Sequence, residues 1–200
     1  MNDEHPILLH DLRIMERMAA DMAGYLDGDA VQWTIPRANM PRLTIGGYLM
    51  RQHRLQALRE KLGEEERERL EAAMRVFEQA QVERVVRFEN RSHQELHARL
   101  GEWVSYLRNL NSRLQAEMNY YAGVVDTRVV IGCLVDNLSR QPYQLETGVK
   151  SEVDMLDKNL GNRWEARDFI WETVWEDAYP RETYWWLYGC PKPVMSGAMA

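Results

Sequence analysis

The chain has 200 residues, of which 45 % are apolar and 28 % are charged. These proportions are typical of one soluble globular domain and exclude an intrinsically disordered chain. The formal net charge is −6, and no stretch of the sequence carries an uncompensated run of basic residues, so we expect no nucleic-acid partner. The two cysteines are too few for a disulfide framework or a four-cysteine zinc site.

The beginning of the sequence and its hydropathy predict where the protein is located. The N-terminus is acidic (Met1-Asn2-Asp3-Glu4), whereas a secretory signal begins with basic residues and continues into an apolar run. No segment approaches the roughly 20 apolar residues that a transmembrane helix needs. We therefore expect a cytoplasmic protein that has no membrane partner.

The first third of the chain predicts two helices joined by a loop. Apolar residues recur at intervals of three and four over residues 6–25, which predicts an amphipathic helix that Asn2 or Asp3 can cap. Residues 30–43 predict a packed loop or a short hairpin. A second helix is expected from Thr44, a capping residue, to Leu62 before Gly63.

No proline occurs between Pro41 and Pro142, and this tract is rich in Arg, Glu and Leu. Such a composition favours helix. We predict one long helix over about 64–110, which projects beyond its neighbours, and a further helix over 113–139. The join near 109–112 is either a kink or a hairpin, and we favour a hairpin in which Ser112 and Gln115 form a capping box.

The second half of the long helix carries a heptad seam, in which apolar residues alternate at spacings of three and four. A seam on a projecting helix needs a partner, and self-association supplies one. We therefore predict a homodimer with coiled-coil character, in which the seam lies in the bundle or in the dimer interface. The seam consists of Leu96, Leu100, Trp103, Leu107, Leu110 and Leu114.

The C-terminal quarter is acidic and aromatic, because five of the seven tryptophans fall within residues 164–186. We predict helices over 149–160 and 165–178, followed by a helical turn after Pro180. The aromatic residues either cover the helical core or form a docking surface for a protein partner or second subunit. The tryptophans assigned to this interface are Trp171, Trp175, Trp185 and Trp186.

A possible metal site lies on the long helix, where Glu89, His93 and His97 are four residues apart and so share one side. A helical His-x-x-x-His pair can bind one divalent metal ion, with further ligands from neighbouring helices such as His53. A histidine on an early helix before a His-x-x-x-His pair resembles the DinB-like metal bundles over these three residues. The alternative is that these side chains hydrogen-bond within the protein.

A second group of charges lies in the apolar helix over 113–139. Asp126 and Arg128 point to different faces, so they either line a pocket for a small polar ligand or lie on the surface. Asp136 and Arg140 have the spacing of an ordinary helical ion pair.

The sequence as a whole predicts an all-α protein, with four or five helices in an antiparallel bundle. We expect a bundle core over 1–145, an acidic aromatic segment over 146–193 packed on that core, and a frayed tail over 194–200. The predicted function is that of a non-catalytic interaction or scaffold protein without a cofactor. The alternative is a metal-dependent enzyme that binds one divalent ion through His93, His97, Glu89 and His53.

Overall fold

The computed structural model of the chain describes residues 4–28, 33–35, 40–110 and 117–192. Some of the predicted features therefore lie outside the described residues. They are the capping of the first helix by Asn2 or Asp3, the capping box of Ser112 and Gln115, the seam residue Leu114, and the frayed tail over 194–200.

The all-α class is confirmed, because helices dominate the described residues and the only sheet among them has two short strands. The helices are α1 (Glu4–Asp27), α2 (Ile45–Ala57), α3 (Glu64–Glu83), α4 (Val85–Asn109), α5 (Met118–Val124), α6 (Asp126–Leu138) and α7 (Val149–Gly161). The strands are β1 (Trp164–Ala166) and β2 (Gly189–Pro191). Short 3-10 helices cover Arg59–Lys61, Thr173–Ala178 and Trp185–Leu187.

The first two helices follow the sequence prediction closely. The apolar stripe of α1 is buried along its length, including Leu12, Met15 and Met22. Thr44 caps α2, because its Oγ1 accepts a hydrogen bond from the backbone N–H of Gly47 at 2.9 Å. Between them, the predicted loop has one described contact with strand geometry, an isolated antiparallel bridge between Trp33 and Leu43.

The single helix predicted over 64–110 is two helices, because the backbone leaves helical geometry at Arg84 (φ −132°, ψ 36°). A contact with α1 accompanies this break. The Arg84 Nε and the Arg87 Nη1 donate to the two carboxylate oxygens of Asp27 at 2.9 and 2.8 Å. The break lets α3 pack on α1 while α4 packs on α6 and α7.

The predicted heptad seam lies in the core of a single chain. The described seam residues are all buried there, so no overhanging seam is left that needs a second subunit. These residues are Leu96, Leu100, Trp103, Leu107 and Leu110. The seam therefore no longer supports the predicted homodimer. None of the helices in the described ranges is long and apolar enough to cross a bilayer.

The C-terminal quarter departs most from the prediction. α7 confirms the helix expected over 149–160, whereas only Thr173–Ala178 of the helix expected over 165–178 is helical, and that part is a 3-10 helix. The first residues of the expected helix belong to β1, which pairs with β2 so that Glu165 lies opposite Cys190. This pairing requires Gly189, which has a φ of 149° and where a Cβ atom would lie 2.1 Å from the carbonyl oxygen of Glu165.

Candidate functional site

The aromatic segment (residues 164–191) packs against the helices of its own chain. Trp186 is 7 % exposed, and Tyr179 and Tyr188 are also buried. The Trp171 indole N–H donates to the carbonyl oxygen of Ala122 at 3.1 Å. The segment shares one continuous hydrophobic core with the helices, which favours its interpretation as a cover over that core.

Two arginines fix this segment by their position over tryptophan rings. The guanidinium of Arg54 lies 4.0 Å from the ring centre of Trp175, and that of Arg128 lies 3.9 Å from the ring centre of Trp186. Such cation–π contacts stabilise most when they are shielded from water. Two of the tryptophans assigned to an interface, Trp175 and Trp186, thus contact cations of the protein's own helices.

Arg128 is also paired with Asp157 of α7, through two hydrogen bonds of 2.7 and 2.6 Å. Because Arg128 is buried and fully engaged, its interpretation as a surface residue is wrong. The same pairing leaves no free guanidinium for the ligand pocket that was predicted around Asp126 and Arg128. The bidentate contact instead joins α6, α7 and the aromatic segment.

A buried charge cluster at the centre of the fold was not predicted. Arg54 binds the Asp11 carboxylate through Nε and Nη2, and the Arg51 Nε lies 3.4 Å from Asp11 Oδ1. Burial is the main cause that lowers the pKa of Arg51 to about 10, and repulsion from the charge of Arg54 is the second. One signal was present in the sequence: Asp11 interrupts the apolar stripe of α1 between Leu8 and Met15.

Glu95 of α4 is a buried cap on α2. Its Oε2 accepts a hydrogen bond from the backbone N–H of Gly46 at 3.0 Å, in the first turn of that helix. Burial raises the pKa of Glu95, although the hydrogen bond from Gly46 opposes that shift. The carboxylate therefore serves to hold α4 against the start of α2.

The predicted metal ligands on α4 hold the loop that follows α6. His93 Nε2 lies 3.0 Å from the carbonyl oxygen of Gln144, and Glu89 Oε1 accepts from the Gln144 N–H at 2.7 Å. His93 Nδ1 and His97 Nε2 approach the two oxygens of Glu146 at 3.4 and 3.0 Å. Glu89, His93 and His97 thus face one segment, as their spacing predicts.

His53 was expected to join these ligands, but its contacts are with the aromatic segment. Its Nε2 lies 3.0 Å from the carbonyl oxygen of Ala178 and 3.2 Å from the hydroxyl of Tyr184. In the described part of the chain, no group of three or more His, Cys, Asp and Glu side chains is arranged to hold a metal ion. The divalent metal ion and the enzyme that would use it stay predictions.

The described surface also carries two features that these contacts do not explain. The first is a valine patch, formed by Val82 and Val86 on either side of the break between α3 and α4, where the two side chains are 69 % and 68 % exposed. The second is an α2–α6 cleft of about 110 Å³, which Tyr184 of the aromatic segment also lines.

Comparison with known proteins gives no assignment for this chain. No family model, no curated protein and no solved structure matches it. The contacts and exposed surfaces described above are therefore the basis of the proposed function.

Proposed function

We propose that the protein is a non-catalytic helical interaction protein that associates with a second copy of itself through the valine patch. The observation that carries this proposal is the exposure of Val82 and Val86 on either side of Arg84. Apolar side chains that cluster on the surface of two adjoining elements are typical of association sites. The sequence predicted a dimer through the seam, and we now propose that the dimer forms through the valine patch.

The tryptophans are less suited to this role than the valines. Trp175 and Trp186 already contact Arg54 and Arg128 within the chain. A side chain that is committed to its own core gains little further burial when a partner binds. Docking through these residues would require the aromatic segment to leave the helices.

A second copy suits the valine patch because charges of both signs surround it. Glu83 is half exposed on one side of the break, and Arg87 is more than half exposed on the other. A two-fold interface must be complementary to itself, and a two-fold axis near Val82 can bring the acidic residue of one copy towards the basic residue of the other. Two valines are far fewer than the roughly 20 to 30 residues per partner that are usual in stable interfaces, so we expect a weak dimer.

Analytical ultracentrifugation over a range of protein concentrations tests this proposal. We expect a concentration-dependent dimer that is lost in the double variant Val82→Glu, Val86→Glu. Met155→Glu is the matched control, because Met155 is 62 % exposed on α7 but lies outside the valine patch. A wild-type protein that stays monomeric at the highest concentration, or a double variant that dimerises as well as the control, would disprove the proposal.

The alternative function, a metal-dependent enzyme, has one specific observation in its favour. His93 and His97 both approach the carboxylate of Glu146, at 3.4 and 3.0 Å, so two imidazoles and one carboxylate lie near one another, although they are not arranged as ligands of one ion in the described structure. Elemental analysis of protein purified without an affinity tag decides the matter. About one metal ion per chain, lost in His93→Ala, supports this function, and a much lower content that the substitution leaves unchanged removes it.

A further inference from the structure

The break between α3 and α4 has no cause in the local sequence. Sharp breaks in helices usually occur at proline or glycine, but neither is found between Gly63 and Gly101. Arg84 has non-helical backbone angles, and its side chain does not cap α4. A helix that continued through Arg84 would need no new nucleation, and it would supply the backbone hydrogen bonds that the first turn of any helix lacks. Contacts with the rest of the protein therefore impose the break.

The contact between Arg84 and Asp27 belongs to this bent form. Arg84 Nε and Nη2 both lie 2.9 Å from Asp27 Oδ2 at the end of α1. A change of Arg84 to helical backbone angles would redirect its side chain, so the contact would be lost when the helix straightens. The Asp27 side chain is half exposed, and exposed ion pairs contribute little to stability. The bent form is therefore only weakly favoured by this contact.

The break also lies where the chain passes between two halves of the molecule. α1 packs on both α2 and α3, and these three helices form the N-terminal half. The C-terminal half runs from α4 to β2, and α2 packs on its α6 and on its 3-10 helix Thr173–Ala178. If the helix continued through Arg84, the N-terminal half would leave its place on the C-terminal half. The surfaces that α2 and α6 bury against each other would then need a second copy to cover them.

The two valines of the valine patch share the register of the heptad seam on α4. Counting back from Leu96 in alternating steps of three and four residues gives positions 93, 89, 86 and 82. A helix that ran through Arg84 would therefore place Val82 and Val86 on the stripe that continues the buried seam. Where two such helices cross near Arg84, the valines of one copy meet those of the other. A continuous helix thus gives these exposed side chains a partner.

We propose that the two copies of the dimer exchange their N-terminal halves. In each chain α3 and α4 form one continuous helix, and the N-terminal half of one copy packs on the C-terminal half of the other. Such an exchange re-forms between the copies the contacts that join the halves within one chain, and only the contacts around Arg84 change. Val82 and Val86 of both copies lie where the two long helices cross. This inference rests on the proposed dimer and specifies how its copies join.

Cross-linking of the double variant Lys61→Cys, Asp177→Cys with a short bis-maleimide tests the exchange. Lys61 lies in the N-terminal half and Asp177 in the C-terminal half, and their Nζ and Oδ2 atoms are 2.8 Å apart on the surface. In the dimer fraction from size exclusion, exchanged halves place these two cysteines on different chains, so a denaturing gel should show a covalent dimer. In the monomer fraction the link lies within one chain.

The single variants Lys61→Cys and Asp177→Cys measure the background of the cross-linking, including any contribution from Cys133 and Cys190. We expect the covalent dimer only in the double variant. A dimer whose cysteines are linked only within each chain would overturn the exchange and leave the dimer through the valine patch standing. A chain that forms no dimer at any concentration would overturn both proposals.

Arg84→Gln tests the hinge itself by analytical ultracentrifugation. It removes the contact with Asp27 that belongs to the bent form, and glutamine suits a helix as well as arginine does. We expect the association constant of the dimer to rise by about five-fold, which corresponds to the upper end of an exposed ion pair. Arg69→Gln is the matched control, because Arg69 also binds a carboxylate of α1, that of Glu16, but both residues lie in the N-terminal half. Equal association of the two variants would show that the hinge is wrong.

Discussion

Gly46 shows how tightly α2, α4 and α6 approach one another at a single residue. A Cβ atom at this position would lie 2.4 Å from Val130 Cγ1 and 2.9 Å from Glu95 Oε1. We expect Gly46→Ala to destabilise the protein by about 1–3 kcal/mol, because this overpacking outweighs the better helix propensity of alanine. Urea denaturation measures the change in the free energy of unfolding.

Gly101→Ala is the matched control for Gly46→Ala. Gly101 lies inside α4, and a Cβ atom there would meet no other atom within 4 Å. Alanine should therefore stabilise the protein at this position, by about 0.5–1 kcal/mol. Equal effects of the two substitutions would contradict the close approach of α6 to Gly46.

Glu95 predicts a pH dependence of stability, because burial raises its pKa in the folded protein. Between the ordinary pKa of 4.5 and the raised value, the unfolded chain is ionised while the folded protein keeps its proton. The wild type thus loses stability as the pH rises through this interval, at about 1.4 kcal/mol for each unit by which the pKa is raised. Glu95→Gln keeps an oxygen that accepts a hydrogen bond from the Gly46 N–H. Because glutamine does not ionise, this variant should not lose stability over the same pH interval.

The free energy of unfolding, measured from pH 4 to pH 8, checks this expectation. Glu95→Gln should become more stable relative to the wild type as the pH rises, and should be nearest to it at the acidic end. Glu102→Gln is the control, because Glu102 lies on the same helix and pairs with the same Arg99 but is more than half exposed. A difference between Glu95→Gln and the wild type that does not change with pH would refute the buried-carboxylate interpretation.

At the scale of whole elements, Arg54 ties three parts of the fold together. It binds Asp11 of α1, belongs to α2, and lies over Trp175 of the aromatic segment. We expect Arg54→Met to destabilise the protein by about 3–5 kcal/mol, because it leaves the buried Asp11 with only the more distant Arg51 as a partner. Thermal or urea unfolding measures this loss.

An exposed ion pair in the same region supplies the comparison. Arg59 pairs with Glu71, and both side chains are nearly half exposed to solvent. Surface pairs of this kind contribute about 0–1 kcal/mol, so Arg59→Met should be close to neutral. If Arg54→Met is no more destabilising than Arg59→Met, the buried cluster does not hold the elements together.

The sequence predicts a helix or strand well when the interactions that form it are between residues close together in the chain. The sequence predicts α1 and α7 from the spacing of their apolar residues and the start of α2 from the cap at Thr44. Both signals involve residues within about a turn of one another. The break at Arg84 is accompanied by contacts with Asp27 of α1, 57 residues earlier. The start of the helix predicted over 165–178 is a strand instead, because β1 forms by pairing with residues more than 20 positions later in the chain.

The same distinction applies to the candidate sites of the whole molecule. Spacing on α4 correctly placed Glu89, His93 and His97 on one face, since that is a property of one helix. It could not show that His53 of α2 packs instead on Tyr184, because this depends on how the aromatic segment crosses the helices. The α2–α6 cleft likewise depends on how two helices meet, which is a property of the fold.

For the molecule as a whole, the aromatic segment is expected to be indispensable to folding. Full burial of a large apolar side chain contributes about 1.5–3 kcal/mol, and an entire domain is stable by only about 5–15 kcal/mol. Removal of residues 162–200 deletes several such side chains and exposes the apolar surface that they cover. The large apolar side chains that are buried in this segment are Val174, Tyr179, Trp186, Leu187 and Tyr188.

We therefore expect a chain that ends at Gly161 to lose its cooperative thermal transition and to bind a hydrophobic dye, while keeping part of its helical circular dichroism. Trp171→Phe in the full chain is the control, because it keeps an aromatic ring and removes the hydrogen bond to Ala122 together with a small part of the ring contacts. It should cost about 1 kcal/mol and leave the transition cooperative. A shortened chain that melts cooperatively near the wild-type temperature would show that the segment is an appendage, and would restore its tryptophans as candidates for docking a partner.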